Sequence, residues 1–153
     1  MNFDFSKNKV LVIGDFMLDK YTFGYSNRMS PEAPVPVVLP RDKKVVPGGA
    51  GNVVENLYKM KAKVSCLGSL GNDKDGIELK NILNTKSSNN LFIVNNLATT
   101  VKERIYIENK QVLRIDKENI FNTKISKEIK KFINTINKFD IVILSDYNKG
   151  VLN

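Results

Sequence analysis

The chain alternates short, nearly continuous apolar runs with amphipathic stretches. Residues 9–15 (Lys-Val-Leu-Val-Ile-Gly-Asp), 63–71, 91–94 and 139–144 are runs of the kind that form strands buried on both faces of a parallel sheet. Between them, Val53, Val54, Leu57, Tyr58 and Met60 recur at helical spacing and predict a helix over residues 51–61. A second helix is predicted over 77–83 after the polar Asn72–Gly76. A third covers 123–138, where Ile125, Ile129, Phe132, Ile133 and Ile136 form one stripe. Strands alternating with helices predict an α/β core with a parallel sheet. Two segments break the alternation. Residues 20–46 combine the β-prone Tyr21–Tyr25 with a proline-rich run at 31–40, which fits an exposed edge element and not a central strand. Residues 99–116 alternate apolar and polar positions around Asn109-Lys110, a hairpin with one wet face.

Candidate chemistry gathers where strands end. In open α/β sheets ligands sit beyond the carboxyl ends of the strands, which singles out Asp15 and, after the last strand, Asp146 and Lys149. Asp19 is a weaker candidate of the same kind. Pro47-Gly48-Gly49-Ala50-Gly51-Asn52 leads directly into the first helix, so its glycines lie where free N–H groups and the helix dipole favour anionic or hydroxyl-rich ligands. Asn52 offers a donor and an acceptor together. The run is neither a dinucleotide fingerprint, since Val54 stands where the third glycine belongs, nor a phosphate loop, since no Gly-Lys-Ser/Thr follows. Taken alone, it reads equally well as a glycine turn capping a core helix. Lys102 and Arg104 lie two apart on one strand and share a side, where they can hold a phosphate or stand as solvated charges. The acidic stretch at 71–82 lacks calcium-loop ligands at its first and last places, and Asp73 is read as a helix cap.

Composition narrows the function. The 153 residues contain no histidine and one cysteine, which removes Ser-His-Asp and Cys-His catalysis and ordinary zinc sites; no protein metal site is expected. Cys66 in an apolar run reads as a core residue, and with no signal-peptide pattern the expected setting is cytoplasmic, without a membrane partner. The net charge of +8 suggests nucleic acid, but the lysines are scattered and interrupted by acids, so no nucleic-acid partner is expected.

Four runs in this order, 14–19 (Gly-Asp-Phe-Met-Leu-Asp), 30–37 (Ser-Pro-Glu-Ala-Pro-Val-Pro-Val), 47–52 and 144–150 (Leu-Ser-Asp-Tyr-Asn-Lys-Gly), resemble the ribokinase-like carbohydrate kinases. The second and fourth are similar to the heptose 7-phosphate kinases of lipopolysaccharide-core assembly, which in many bacteria are joined to an adenylyltransferase. The resemblance implies an incomplete Rossmann-like core (1–19, 47–98, 117–153) with a small β lid (20–46 and 99–116). It implies transfer of phosphate from ATP, with Mg²⁺, to the anomeric hydroxyl of a sugar phosphate, and a homodimer formed through the lid. Asp15, Gly48, Gly49 and Asn52 would bind sugar hydroxyls; Asp146 and Lys149 would lie on the substrate side; Lys102 and Arg104 would contact phosphate. Val54 and Lys61 depart from the small residues of the family's first signature, which touches packing and not chemistry. The family's Gly-Ala-Gly-Asp motif, which supplies the catalytic base, belongs to a later part of these longer kinases. Gly49-Ala50-Gly51-Asn52 mimics it with Asn in place of the base. No catalytic residue is therefore expected here, nor ATP or Mg²⁺ on this chain alone, and a sheet edge is expected to be exposed. The competing readings are a non-catalytic sugar-phosphate-binding module and a basic nucleic-acid-binding protein.

Overall fold

The computed structural model describes residues 4–121, 130 and 132–152. In chain order the elements are β1 (Lys9–Gly14), β2 (Phe16–Tyr25), β3 (Leu39–Gly49), α1 (Ala50–Lys59), β4 (Lys63–Gly71), α2 (Lys74–Asn84), β5 (Leu91–Asn95), β6 (Val101–Ile107), β7 (Lys110–Lys117), a 3-10 turn at Ile136–Lys138, and β8 (Ile141–Ser145). They form two four-stranded sheets, β5-β4-β1-β8 and β3-β2-β6-β7.

The first sheet is parallel throughout. Its strands are the apolar runs expected, and α1 and α2 cover one face. Val10 and Val12 of β1, Val64, Cys66 and Leu70 of β4, Val54 of α1, and Leu79 and Leu83 of α2 make one buried cluster. The chain steps from β1 outward through β4 to β5, then returns to place β8 on the other side of β1. The direction of strand order therefore reverses between β1 and β8, the point at which open α/β sheets form a crevice at their carboxyl ends. β8 is an edge strand, and Ile141, Val142 and Leu144 are exposed on it.

The second sheet is the β insert. β2 pairs antiparallel with β3 and parallel with β6, and β7 folds back on β6. Its roots lie closer to the core than the sequence suggests: β2 starts at Phe16, directly after Asp15, and β3 runs to Gly49, directly before α1. The proline-rich run forms no strand of its own. Residues 30–35 bend across a single Met29–Pro36 bridge, and β3 begins only at Leu39. Prolines lack the N–H a ladder requires, and Pro40 is accommodated beside the irregular register near Phe23 and Gly24. The helix expected over 123–138 falls mostly outside the described residues, Ile125 and Ile129 included; residues 132 and 133 are helical, and residues 136–138 are a 3-10 turn.

Asp73 helps to fasten the insert to the core. Asp73 caps α2 by accepting from Gly76 N–H at 2.9 Å, as expected. It also accepts from the N–H of Thr99 at 3.0 Å, the Thr99 hydroxyl at 2.7 Å and Lys117 Nζ at 3.1 Å. One carboxylate thus joins the α2 start to the entry of β6 and the exit of β7. Partial burial works to raise its pKa, but the hydrogen bonds from Thr99, Gly76 and Lys117 hold it down at about 2, from an ordinary 3.8. Asp73→Ala is expected to cost about 1–2 kcal/mol in urea unfolding, the loss of a cap together with its shared partners. Because the folded pKa is depressed, this contribution is present above pH 3.8 and disappears as pH falls toward 2. The unfolding free energies of the wild-type and variant chains should therefore converge across that interval.

Candidate functional site

The expected helix over 51–61 is α1, and the glycine run is its entry. Gly49 is the N-cap residue, at φ 56° and ψ −128°, a conformation that side chains oppose. A Cβ there would stand 2.5 Å from the Asp15 carbonyl oxygen, which accepts the Ala50 N–H at 3.0 Å. At Gly48 a Cβ would collide with the Asp19 carboxylate. α1 has no side-chain cap and no acid in its first turn, so the positive end of its dipole is uncancelled at this point.

Asp15 lies where strand order reverses, and it is 2% exposed. Its N–H donates to Ser145 O at 3.0 Å, linking the ends of β1 and β8. Its carboxylate accepts three main-chain N–H groups: Tyr147 at 2.8 Å and Lys149 at 3.1 Å on Oδ2, and Val151 at 3.3 Å on Oδ1. The expected sugar ligand is thus engaged with the main chain and does not line the neighbouring cleft. Asp146 is exposed and closes its own turn by accepting Asn148 N–H at 2.8 Å; it too lies outside the cleft lining. Lys149 directs its ammonium to Glu118 at 3.0 Å.

A cleft of about 380 Å³ lies between the glycine turn and the face of the insert sheet. Gly49 and Asn52 line it from the core side, and Lys102 and Arg104 from β6, so four of the expected residues meet there; Gly48 lies beside them, under Asp19. Met17, Asp19, Tyr21, Arg114 and Tyr147, with Val46 and Pro47 of β3, complete the wall. Of these, Arg114, Tyr21, Met17 and Tyr147 are additions to the sequence reading, and Asp19 rises from a weaker candidate to a central one. Arg114 was accessible to reasoning: folding the hairpin about Asn109 places it opposite Arg104, and the two are register partners.

The cations of the cleft are held by carboxylates. Arg104 Nη1 donates to Asp19 Oδ1 at 2.7 Å, and its guanidinium stands 5.3 Å from the Tyr21 ring centroid. Arg114 Nε donates to Asp116 at 2.9 Å. Lys102 Nζ reaches Glu118 at 2.9 Å and Asp116 at 3.3 Å. Hydrogen bonds from Lys102 and Lys149 pull the Glu118 pKa down from 4.5 to about 2, and the Glu118 and Asp19 bonds raise those of Lys102 and Arg104. Among the described residues no His, Cys, Asp and Glu side chains cluster to hold a metal ion, and no helix is long and apolar enough to cross a membrane.

The fold is that of the ribokinase-like carbohydrate kinases. The chain aligns with a putative ribokinase from Agrobacterium tumefaciens (TM-score 0.63, 18% identity, 90% of this chain and 44% of that one). It aligns equally with Arabidopsis thaliana ribokinase complexed with ribose and ATP (TM-score 0.63, 17% identity, 90% and 45%). In sequence, its homologues are the proteins named bifunctional protein HldE. Identity is 42% over 149 residues with that of a Nitratiruptor species, covering 95% of this chain and 32% of the relative, and 44% over 149 residues with that of Helicobacter pylori (strain J99), covering 94% and 32%. The chain therefore spans about a third of the length of the curated relatives it matches. No family model matches it.

The Asp15 geometry makes a prediction of its own. Asp15→Ala leaves three N–H groups without their acceptor and is expected to cost about 2–4 kcal/mol, with Asp15→Asn costing less because one oxygen is kept. Urea unfolding measures both, and amide exchange should show faster opening at Tyr147, Lys149 and Val151 before any change at β4.

Proposed function

We propose that the cleft beneath the insert sheet binds a sugar phosphate, and that the chain supplies the sugar-binding part of an ATP-dependent kinase acting on heptose 7-phosphate at its anomeric hydroxyl, on the route to ADP-heptose. One observation carries the reading: Arg104 and Arg114 stand opposite one another across β6 and β7, facing the glycine turn. Like charges directly opposite on a sheet repel; Asp19 and Asp116 offset that repulsion here, and the pair still presents two guanidinium groups to an anion. Arg104 Nη1 and Arg114 Nε are committed to carboxylates, which leaves further N–H groups of each guanidinium for phosphate oxygens. Asn52, beside the uncapped start of α1, suits the hydroxyls at the other end of such a ligand.

Phosphoryl transfer also needs a nucleotide, Mg²⁺ and a base. Those parts are proposed to lie elsewhere in the longer kinases; the cations lining this cleft are already paired, Arg104 with Asp19, Arg114 with Asp116 and Lys102 with Glu118. No transfer step is assigned to them, and this chain alone is proposed to bind without turnover. The insert sheet is proposed as the dimer contact; β7 is its edge strand and exposes Val112, Leu113 and Ile115.

Calorimetric titration tests the site. The chain should bind heptose 7-phosphate well above heptose or ribose 5-phosphate, and Arg114→Ala should weaken the heptose phosphate at least tenfold, about 1.4 kcal/mol, while leaving heptose unchanged. Equal affinity for heptose and heptose 7-phosphate would overturn the phosphate assignment. ATP-dependent phosphorylation of heptose 7-phosphate by this chain alone would overturn the proposed inactivity.

A further inference from the structure

Two buried threonines stand side by side at the entry of β6, and their hydroxyls are treated differently. Thr99 accepts the Gly71 N–H at 3.0 Å and donates to Asp73 at 2.7 Å. Thr100 is 1% exposed, and its Oγ1 is the one buried side-chain oxygen or nitrogen without a hydrogen-bond partner among the described residues. A buried hydroxyl left unpaired costs free energy, and valine, of nearly the same shape, would fill the position without that cost.

Strand alternation sets the direction of this hydroxyl. Val101 enters the apolar core, whereas Lys102 and Arg104 line the sugar cleft. Thr100 therefore shares the side of Lys102 and Arg104, one pleat nearer the core. Its carbonyl accepts the Leu18 N–H at 2.9 Å, so the ladder with β2 continues through it. The registers Leu18–Val101 and Val101–Lys117, carried one residue on, place Met17 and Glu118 on either side of it. Neither side chain satisfies it. Met17 lines the cleft and reaches the glycine turn, where a Cβ on Gly49 would stand 2.8 Å from its Cε. Glu118 gives Oε1 to Lys102 at 2.9 Å and Oε2 to Lys149 at 3.0 Å. The inner end of the cleft face thus holds a group that can both donate and accept, next to a side chain that adapts readily.

We infer that Thr100 is a specificity-determining residue of the cleft: Met17 turns aside as the sugar enters, and the Thr100 hydroxyl pairs with a ring hydroxyl remote from the phosphate. The inference rests on the proposed sugar-phosphate reading and divides its labour, with Arg104 and Arg114 on the phosphate and Thr100 on the ring. A site built to pair a hydroxyl loses much of its affinity when one partner is removed. Calorimetric titration of heptose 7-phosphate and heptose into the wild-type, Thr100→Val, Thr100→Ser and Arg114→Ala chains tests it, with urea unfolding of each unliganded chain. Thr100→Val is expected to weaken both ligands at least tenfold, and Thr100→Ser, which keeps the hydroxyl, to stay within about threefold of wild type. Arg114→Ala should weaken heptose 7-phosphate alone. The unliganded Thr100→Val chain should unfold at the same urea concentration as wild type or a higher one, which a structural hydroxyl would not allow. Undiminished binding of heptose 7-phosphate by Thr100→Val overturns the inference, and a weakened Arg114→Ala in the same series leaves the phosphate reading standing. A lowered urea midpoint for Thr100→Val also overturns it, because the hydroxyl then pairs within the chain. Absence of heptose 7-phosphate binding by the wild-type chain overturns both.

Discussion

The Asp15 carboxylate is the constraint on which the architecture turns. A parallel sheet whose strand order reverses leaves a gap beyond the carboxyl ends of the two strands at the reversal, here the paired β1 and β8. Asp15 spans that gap with its own N–H on Ser145 and its side chain on Tyr147, Lys149 and Val151. Its carbonyl simultaneously takes the first N–H of α1. One buried residue therefore fixes the end of β8, the glycine turn and the root of β2 relative to each other. A charge-assisted acceptor suits this role because each main-chain donor it satisfies would otherwise be left partly desolvated. The cleft beside it is thereby built on a fixed floor.

The second fastening, at Asp73, acts on the opposite flank. It binds the start of α2 to Thr99 and Lys117, and Lys117 also approaches Asp75, which holds Lys20 of β2 at 2.5 Å. Strands β2, β6 and β7 of the insert are thus tied to one helix terminus by ion pairs and hydrogen bonds, beside Phe16, Leu18 and Val101, which enter the common apolar core at the root of β2 and β6. Polar ties of this kind are short-ranged and directional, so they fix orientation while burying little area.

Much of this was legible in the sequence. Continuous apolar runs located β1, β4, β5 and β8; in β1 and β4 burial on both faces leaves little freedom in residue type, whereas β8 carries its apolar run exposed at the sheet edge. Asp73 as a cap and the hairpin at Asn109 followed from local chemistry that the fold does not override. The carboxylates were harder. Asp15, Asp19 and Asp146 all follow or begin strands near the same crevice, yet one is a brace, one holds an arginine in the cleft and one closes its own turn. Position along a strand gives nearness to the crevice; the donors differ, for Asp15 a turn more than a hundred residues away, for Asp19 an arginine 85 residues on, and for Asp146 its own turn. The proline-rich run misled for a local reason, since the extended conformation that proline favours needs no partner strand.

The charge balance of the cleft follows from those partners. Lys102, Arg104, Arg114 and Lys149 are set against Asp19, Asp116 and Glu118, so the cluster carries a single positive charge in excess. With its pKa near 2, Glu118 stays ionised throughout the physiological range and keeps two lysines in place. An entering phosphate gains contacts with cations already oriented, but it must compete with carboxylates for them, and a neutral sugar gains nothing from them at all. Such an arrangement sacrifices some affinity and favours discrimination, because only a ligand with charge in the right place recovers what the internal pairs give up. Asp19 and Asp116 thus hold Arg104 and Arg114 oriented at the cleft, and on the proposed reading that orientation is what distinguishes a phosphorylated sugar from a neutral one.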